Sequence, residues 1–392
     1  MLKFENQFKV STYALHFNGT HPNLPHDKKW IANFIFIVIL TGVIFLFCVN
    51  SIISHDIPDG DYTEALKNGS LATVYMLICL KSYVVLRHSN SMRRYIQIVD
   101  DDYATFNQYT TEEKQIILRY SKKGRNVCIY WFISATSTGA MFPLKALYFM
   151  TSSLCRGEFK LFPLFDMRYP DPIETRKEIV YIFLILFLSC LIFDVYAVSV
   201  YVGVDPLASI FLLHICGQIE ILSKRMKNLM SEVADRNEIC ANLKRVNQKL
   251  QILYIFHDSV RSDFMYLFEF NMKTTTFLLP FAAFQILQSL QHLEINMEFT
   301  CFFMAYIIQV LIPCYYSNLL MDKNNELREA IYSCGWENQP NIQIRKTVLF
   351  MLARCSIPLT MRTIFHPVNL ETFAEVCRQA YAIFNIMNAA WT

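Results

Sequence analysis

Apolar positions along this chain gather into long runs separated by charged stretches. Runs at about Trp30–Val49, Leu71–Leu86, Asn126–Met150, Ile179–Val202, Phe264–Leu290 and Phe299–Leu320 are each close to the length that crosses a bilayer as a helix. A seventh, Pro367–Thr392, is as long but differently patterned. Backbone in hydrocarbon must satisfy its own hydrogen bonds, so such runs read as helices. Between the fourth and fifth runs, stretches such as IEILSKRMKNLM and LKRVNQKLQILYIFHDSV alternate apolar and charged residues at helical spacing. They predict a long amphipathic helical hairpin in the cytosol that packs on its neighbours. Pro143 predicts a kink in the third span.

The expected fold class is therefore an all-α membrane protein with seven transmembrane helices. Its expected organisation is an N-terminal segment (1–29), spans one to four (30–206), a cytoplasmic helical extension (207–263), spans five and six (264–320), a second cytoplasmic helical segment (321–366) and a last helix (367–392). Residues 87–125 read as a charged connector, and 151–178 as a loop with three prolines. The mixed polar segment 1–29 is either an amphipathic helix at the membrane interface or a disordered tail. Its first residues hold no apolar core, so no cleavable signal peptide is expected.

Charge gives this arrangement a direction. With the N-terminus inside, 26 of the 36 Lys and Arg residues fall in cytoplasmic segments and 6 in outer ones. That bias favours a cytoplasmic N-terminus and an extracellular C-terminus. A G-protein-coupled receptor has the opposite N-terminal orientation, and neither a DRY nor an NPxxY sequence stands at the expected places. The composition agrees with a membrane protein: 54% of residues are hydrophobic and 18% charged, against about 25% charged in a soluble domain. The 12 cysteines show no CxxC or Cys/His metal spacing, and Cys155 alone is placed in an outer loop, so no intrachain disulfide is expected there. Of two glycosylation sequons, the one at Asn18 should be cytosolic, and the one at Asn68 abuts a span.

The last run carries the most informative pattern. At helical spacing Glu375, Arg378, Gln379, Ala382, Asn385, Ile386, Ala389 and Ala390 share one face, while Phe373, Cys377, Tyr381, Phe384 and Met387 or Asn388 lie on the opposite flank. A polar and small-residue stripe in a membrane helix is hidden from lipid. It lines an ion path or packs against another helix.

Here the chain resembles a known family. Pro358-Leu359-Thr360 followed by PVNLETFAEVCRQAYAIF is similar to the C-terminal signature of insect odorant receptors. Tyr316, Ser317, Ala330, Tyr332 and Trp336 resemble that family's pattern near the end of the sixth span. The resemblance implies that four copies of the last helix surround a cation pore, with Gln379, Ala382, Asn385, Ile386, Ala389 and Ala390 facing it. Ile386 is then the expected hydrophobic constriction. It also implies a pocket in the outer half of the membrane for a small volatile hydrophobic ligand. Tyr75, Cys79, Thr136, Gly139, Phe142, Phe183, Phe187, Phe302 and Tyr306 are the candidate lining, with Thr136 and Gly139 opening space beside Phe142.

Unlike the family's co-receptor, this chain has no long insertion between spans four and five, and it carries Asn385 and Ala390 where the co-receptor has bulkier apolar residues. The resemblance thus implies a ligand-tuning subunit that forms a heterotetramer with the co-receptor in the plasma membrane of a sensory dendrite. Membrane lipid is the other expected partner; no nucleic acid, metal or cofactor is implied. Gustatory receptors share the architecture, but their TYxxxxxQF motif is replaced here by AYAIFNIMN. A small-molecule transporter is less well matched, because no internal repeat is evident.

No catalytic constellation is present. His214, His257 and His366 are isolated, no Walker loop, GxSxG or HExxH occurs, and His292 and Glu294 do not amount to a metal site. Among charges inside spans, Lys81, Lys145 and Lys273 are expected to reach an interface. Asp194 either pairs with a neighbouring helix, the favoured reading, or faces a water-filled cavity. Arg378 either tunes ion passage or pairs with Glu375.

Overall fold

A computed structural model describes residues 2–157, 160–229, 236–291 and 296–391, except the side chains of residues 236, 390 and 391. His292 and Glu294 lie outside the described residues, as does the side chain of Ala390.

The chain is helical almost throughout. Two short helices, α1 (Phe4–Gln7) and α2 (Lys9–Phe17), precede α3 (Lys28–Ser51), which ends in a π-helical turn, Ile52–Asp56. Then come α4 (Tyr62–Arg87), α5 (Ser89–Ala104), α6 (Thr111–Cys155) and the single turn α7 (Asp171–Glu174). Next are α8 (Val180–Asn228), α9 (Arg236–Gln291), α10 (Met297–Tyr332) and α11 (Ile342–Cys355). A two-stranded antiparallel hairpin, β1 (Met361–Arg362) with β2 (Pro367–Val368), leads into α12 (Leu370–Trp391).

Several starts are written locally. Asp27 and Asp61 accept backbone hydrogen bonds at the starts of α3 and α4. Thr110 and Glu113 form a reciprocal capping box on α6. Asn369, rather than Pro367, caps α12 by accepting from Thr372 N at 2.9 Å. Pro367 instead sits in β2, where its missing N–H is harmless in so short a hairpin.

Helices α3, α4, α6, α8 and α10 are long and apolar enough to cross a membrane. The remaining two expected spans lie in α9 and α12, which carry more polar residues, and the arrangement is consistent with seven crossings. At 1.5 Å per residue, α6, α8 and α9 are about 68, 74 and 84 Å long, more than twice the hydrocarbon thickness. The charged segments expected as connectors are thus largely continuations of the spanning helices. Pro143, Pro206, Pro280 and Pro313 all lie inside helices that run on past them.

Beyond its span, α8 is the axis of the fold. Leu207, Phe211, Leu213, Ile215, Ile219, Leu222 and Met226 are all buried. A helix apolar all round must be enclosed on every side, and α2, α6, α9 and α10 pack around it. The expected alternation holds over 219–228 of α8, where Lys224, Arg225 and Lys227 are exposed, and over 243–260 of α9; it fails over 203–218, where α8 is enclosed on every side.

The N-terminal segment is not a loose tail: α2 packs one face on α8 and leaves Tyr13 and Phe17 exposed on the other. Ser11 Oγ donates to Gly203 O at 2.7 Å, and Asn18 Nδ2 to Ser199 O at 3.1 Å. A Cβ on Gly203 would stand 3.1 Å from Leu15 Cδ2, so glycine there lets α2 lie directly on α8. Phe4 and Leu15 are buried in the same core.

Polar pairs tie the extensions together. Asp102 on α5 pairs with His214 at 2.8 Å and with Lys249. Glu113 on α6 meets Arg225 at 2.6 Å, and Tyr95 OH donates to Asp263 at 2.6 Å. Burial alone would raise the Asp102 carboxyl, but the His214 hydrogen bond and the Lys249 charge outweigh it and hold the group below its usual range.

Candidate functional site

Between α4, α6, α8 and α10 the structure holds about 660 Å³ of empty space, counting its mouth. Each helix contributes residues one turn apart: Leu71 and Val74; Trp131, Ser134, Ala135, Thr138, Gly139 and Phe142; Phe193, Asp194, Ala197, Val198 and Tyr201; Phe302, Ala305, Tyr306 and Gln309. The loop after α6 supplies Phe165. That loop folds back into the bundle, burying Leu164, Phe165, Met167 and Tyr169. Aromatic rings form a continuous wall, Phe142 meeting Phe165 at 5.0 Å and Phe302 at 5.8 Å, with Phe302 stacked on Tyr306 at 5.9 Å. Outside this wall Lys145 bridges Asp166 of the loop at 2.8 Å and Glu298 of α10 at 2.9 Å. The lining is mostly apolar and aromatic with a few polar groups, the character that small-molecule sites have.

Gly139, Phe142, Phe302 and Tyr306 are brought together around this cavity; Tyr75, Cys79, Thr136, Phe183 and Phe187 are not. Tyr75 stacks on Phe45 at 4.7 Å in the contact between α3 and α4. Cys79 is exposed and Thr136 half-buried, and neither lines the cavity. Phe183 and Phe187 meet each other at 5.7 Å, further toward the start of α8. Gly139 stands with Phe142 in the cavity wall, and its missing side chain serves helix packing as well. A Cβ there would stand 2.6 Å from Val198 Cγ2, so the glycine allows α6 and α8 to close. Sequence reasoning passed over Trp131, Ser134, Thr138, Phe193, Ala197, Tyr201, Ala305 and Gln309. Their three- and four-residue spacing within each span was the available signal, but choosing which face of each helix is inward requires the neighbours.

The charges inside the spans divide unexpectedly. Lys81 does not reach an interface: it is fully buried, pairs with Asp205 on α8 at 2.7 Å, and sits 3.2 Å from the centre of the Tyr201 ring. Asp194, favoured as a paired residue, has no ion pair or hydrogen bond among the described residues and lines the cavity. Lys145 is held by the two carboxylates named above, and Lys273 is exposed, 3.9 Å from Glu269.

On α12, Val376, Ala380 and Met387 face inward, and Ala380 packs in one cluster with Leu279 and Ala282 of α9 and with Phe299 and Tyr306 of α10. Tyr381, on the flank opposite the stripe, is also exposed. Gln379, Ala382, Asn385, Ile386 and Ala389 all point away from the rest of the chain, Ile386 with 70% of its surface exposed. Arg378 pairs with Glu375 at 2.5 Å on the same side.

One set of described side chains has metal-like proximity: Glu5, His16 and His21, with ligand atoms within 4.8 Å of one another. The two imidazoles stack at 3.9 Å with planes 13° apart. Their in-plane lone pairs run side by side instead of converging, which does not fit a coordination sphere. All 12 cysteines are free, including Cys155 at the end of α6. Neither sequon is accessible: Asn18 is buried, and Asn68 is buried with its amide donating to Asp56 Oδ2 at 2.8 Å.

Comparison with known proteins supplies the context. The family described as 7tm Odorant receptor matches residues 61–381. Odorant receptor 19a of Drosophila melanogaster is 32% identical over 81 residues, covering 20% of this chain and 21% of that protein. Odorant receptor 94a of the same fly is 24% identical over 204 residues, covering 47% and 48%. The aligned region thus spans from about a fifth to about half of these relatives' length. Among solved structures, the insect olfactory receptor OR5 from Machilis hrabei in complex with eugenol superposes with a TM-score of 0.78 over 98% of both chains at 15% identity. A second structure of that receptor superposes with a TM-score of 0.76 over 98% of this chain and 97% of that one, at 12% identity. At these identities the likeness establishes the fold.

Proposed function

This chain belongs to the odorant receptor family, and from that premise we propose that it is the odorant-binding subunit of a heteromeric ligand-gated non-selective cation channel. Its ligand is a small, volatile, largely apolar molecule held in the cavity between α4, α6, α8 and α10. Its partner is the family's co-receptor, the two forming a heterotetramer in the plasma membrane of a sensory neuron dendrite. The N-terminus is cytoplasmic, as the 26-to-6 distribution of basic residues favours.

The observation that carries this reading is the position of Tyr306. Its side chain lines the cavity and belongs to the same apolar cluster as Ala380 of α12. A ligand pressing on that wall acts on the helix that bears the Gln379, Ala382, Asn385, Ile386, Ala389 and Ala390 stripe. It opens the pore only to the extent that it binds the open arrangement more tightly. The stripe itself is turned away from the protomer, as a pore-facing surface has to be. Exposed apolar side chains on and around α11 (Ile342, Leu349, Phe350, Ile357 and Phe365) support an interface with neighbouring subunits below the membrane.

The test is ligand-evoked current in cells expressing this chain with a co-receptor. Ile386→Ala should change the leak current or the ion selectivity, because it removes the largest apolar group from the exposed stripe. Currents identical to wild type would remove Ile386 from the gate. Silence across a broad panel of volatiles, with the chain at the cell surface, would count against the channel reading itself.

A further inference from the structure

We propose that this cavity selects apolar molecules carrying one hydrogen-bond donor, a hydroxyl or an amine, and that Asp194 is the acceptor that reads it. The proposal rests on the cavity being the odorant site. Two acidic residues of α8 enter the membrane bundle, and the fold treats them differently. Asp205 is met by Lys81 at 2.7 Å. Asp194, three turns earlier, is given no cation and no hydrogen-bond donor among the described residues, and it opens on the cavity. Its two oxygens lie 3.0 and 3.3 Å from where a Cβ on Gly139 would stand, so the glycine leaves no side chain there to screen it.

A carboxyl group in apolar surroundings is costly unless it finds a partner, and a donor on a ligand provides one. The opposite polarity is present in the same walls. Trp131 Nε1 and Gln309 Nε2 both lack a hydrogen-bond partner among the described residues, and these residues are 3% and 4% exposed. A hydroxyl could therefore donate to Asp194 while accepting from one of these groups. An ammonium would use the carboxylate together with the surrounding aromatic faces. Both sources share one requirement, an O–H or N–H on a body small enough for the cavity.

The test uses 2-phenylethanol, its methyl ether and 2-phenylethylamine as probes of one skeleton. Apparent affinities are read from thermal stabilisation of the purified full-length chain, and from evoked current where the chain is co-expressed with a co-receptor. At least one donor probe should bind tenfold or more tightly than the ether, as expected where a site is built around a ligand donor. Asp194→Leu should erase that preference while leaving ether binding in place, which also shows the variant is folded. Asp194→Asn keeps an acceptor but not the charge: it should spare a preference for the alcohol and abolish one for the amine. Wild type binding neither donor probe better than the ether overturns the proposal, as does a preference that survives Asp194→Leu. Ala305→Trp, which fills the cavity, separates the two levels. If it abolishes binding while Asp194→Leu changes nothing, only the selector role fails. If it leaves all binding unchanged, the cavity is not the odorant site.

Discussion

Replacing Lys81 by methionine should destabilise the protein more than replacing Lys81 and Asp205 together. The ammonium is fully buried, 2.7 Å from the Asp205 carboxylate and 3.2 Å from the centre of the Tyr201 ring. Methionine keeps the length and the apolar stem but removes the charge, leaving Asp205 buried and uncompensated. Breaking a buried pair in this way costs about 3–5 kcal/mol, whereas exchanging both members for apolar residues is often close to neutral. Loss of the ring contact adds roughly 0.5–2 kcal/mol to either change. The assay is thermal unfolding of the full chain in detergent for wild type, Lys81→Met, Asp205→Leu and the double variant. The expected order places both singles well below the double. The reasoning fails if Lys81→Met lies within about 1 kcal/mol of wild type, or if the double variant is as unstable as the two singles added together. Either result would mean that the two groups do not depend on one another.

Other expectations follow from the same packing. Neither Asn68 nor Asn18 should carry a glycan, since both amides are buried and engaged; treatment with an N-glycosidase should leave the electrophoretic mobility unchanged. His21 is buried, and that burial, with the charge of His16 beside it, pushes its imidazole down to about 4. A folded value below the unfolded one means that the stabilisation is present above about pH 6.5 and is lost as the pH falls toward 4. Between pH 8 and 5 the loss should be on the order of 1–2 kcal/mol, and His21→Gln should flatten that part of the stability profile. A Cβ on Gly124 would stand 2.6 Å from the Phe8 ring. Gly124→Val should therefore loosen the N-terminal helices at a cost of about 1–3 kcal/mol, read as faster proteolysis between residues 1 and 27.

The spans and the exposed stripe of α12 were legible because lipid imposes a rule that acts on one dimension. A run is apolar for about 30 Å or it is not, and a polar stripe on a helix must be hidden from hydrocarbon. The same economy made α6, α8 and α10 readable as spans and made Gln379, Ala382, Asn385, Ile386 and Ala389 stand out as one face. It also made the family resemblance visible, since the signature lies in consecutive residues near the C-terminus.

What the tertiary structure decided was which distant residues meet. Lys81 and Asp205 are 124 residues apart, and no local pattern distinguishes a lysine that reaches the interface from one enclosed by a partner. The cavity draws on four helices and a loop, so the rotation of each helix about its own axis determines its lining. That is why Trp131 and Gln309 line it and Thr136 and Phe183 do not. The N-terminal segment looked polar enough for solvent because its apolar residues, Phe4, Phe8 and Leu15, are few and scattered. Leu15 and Phe8 fit because Gly203 and Gly124 leave room for them, a fit between surfaces that spacing along the chain does not encode.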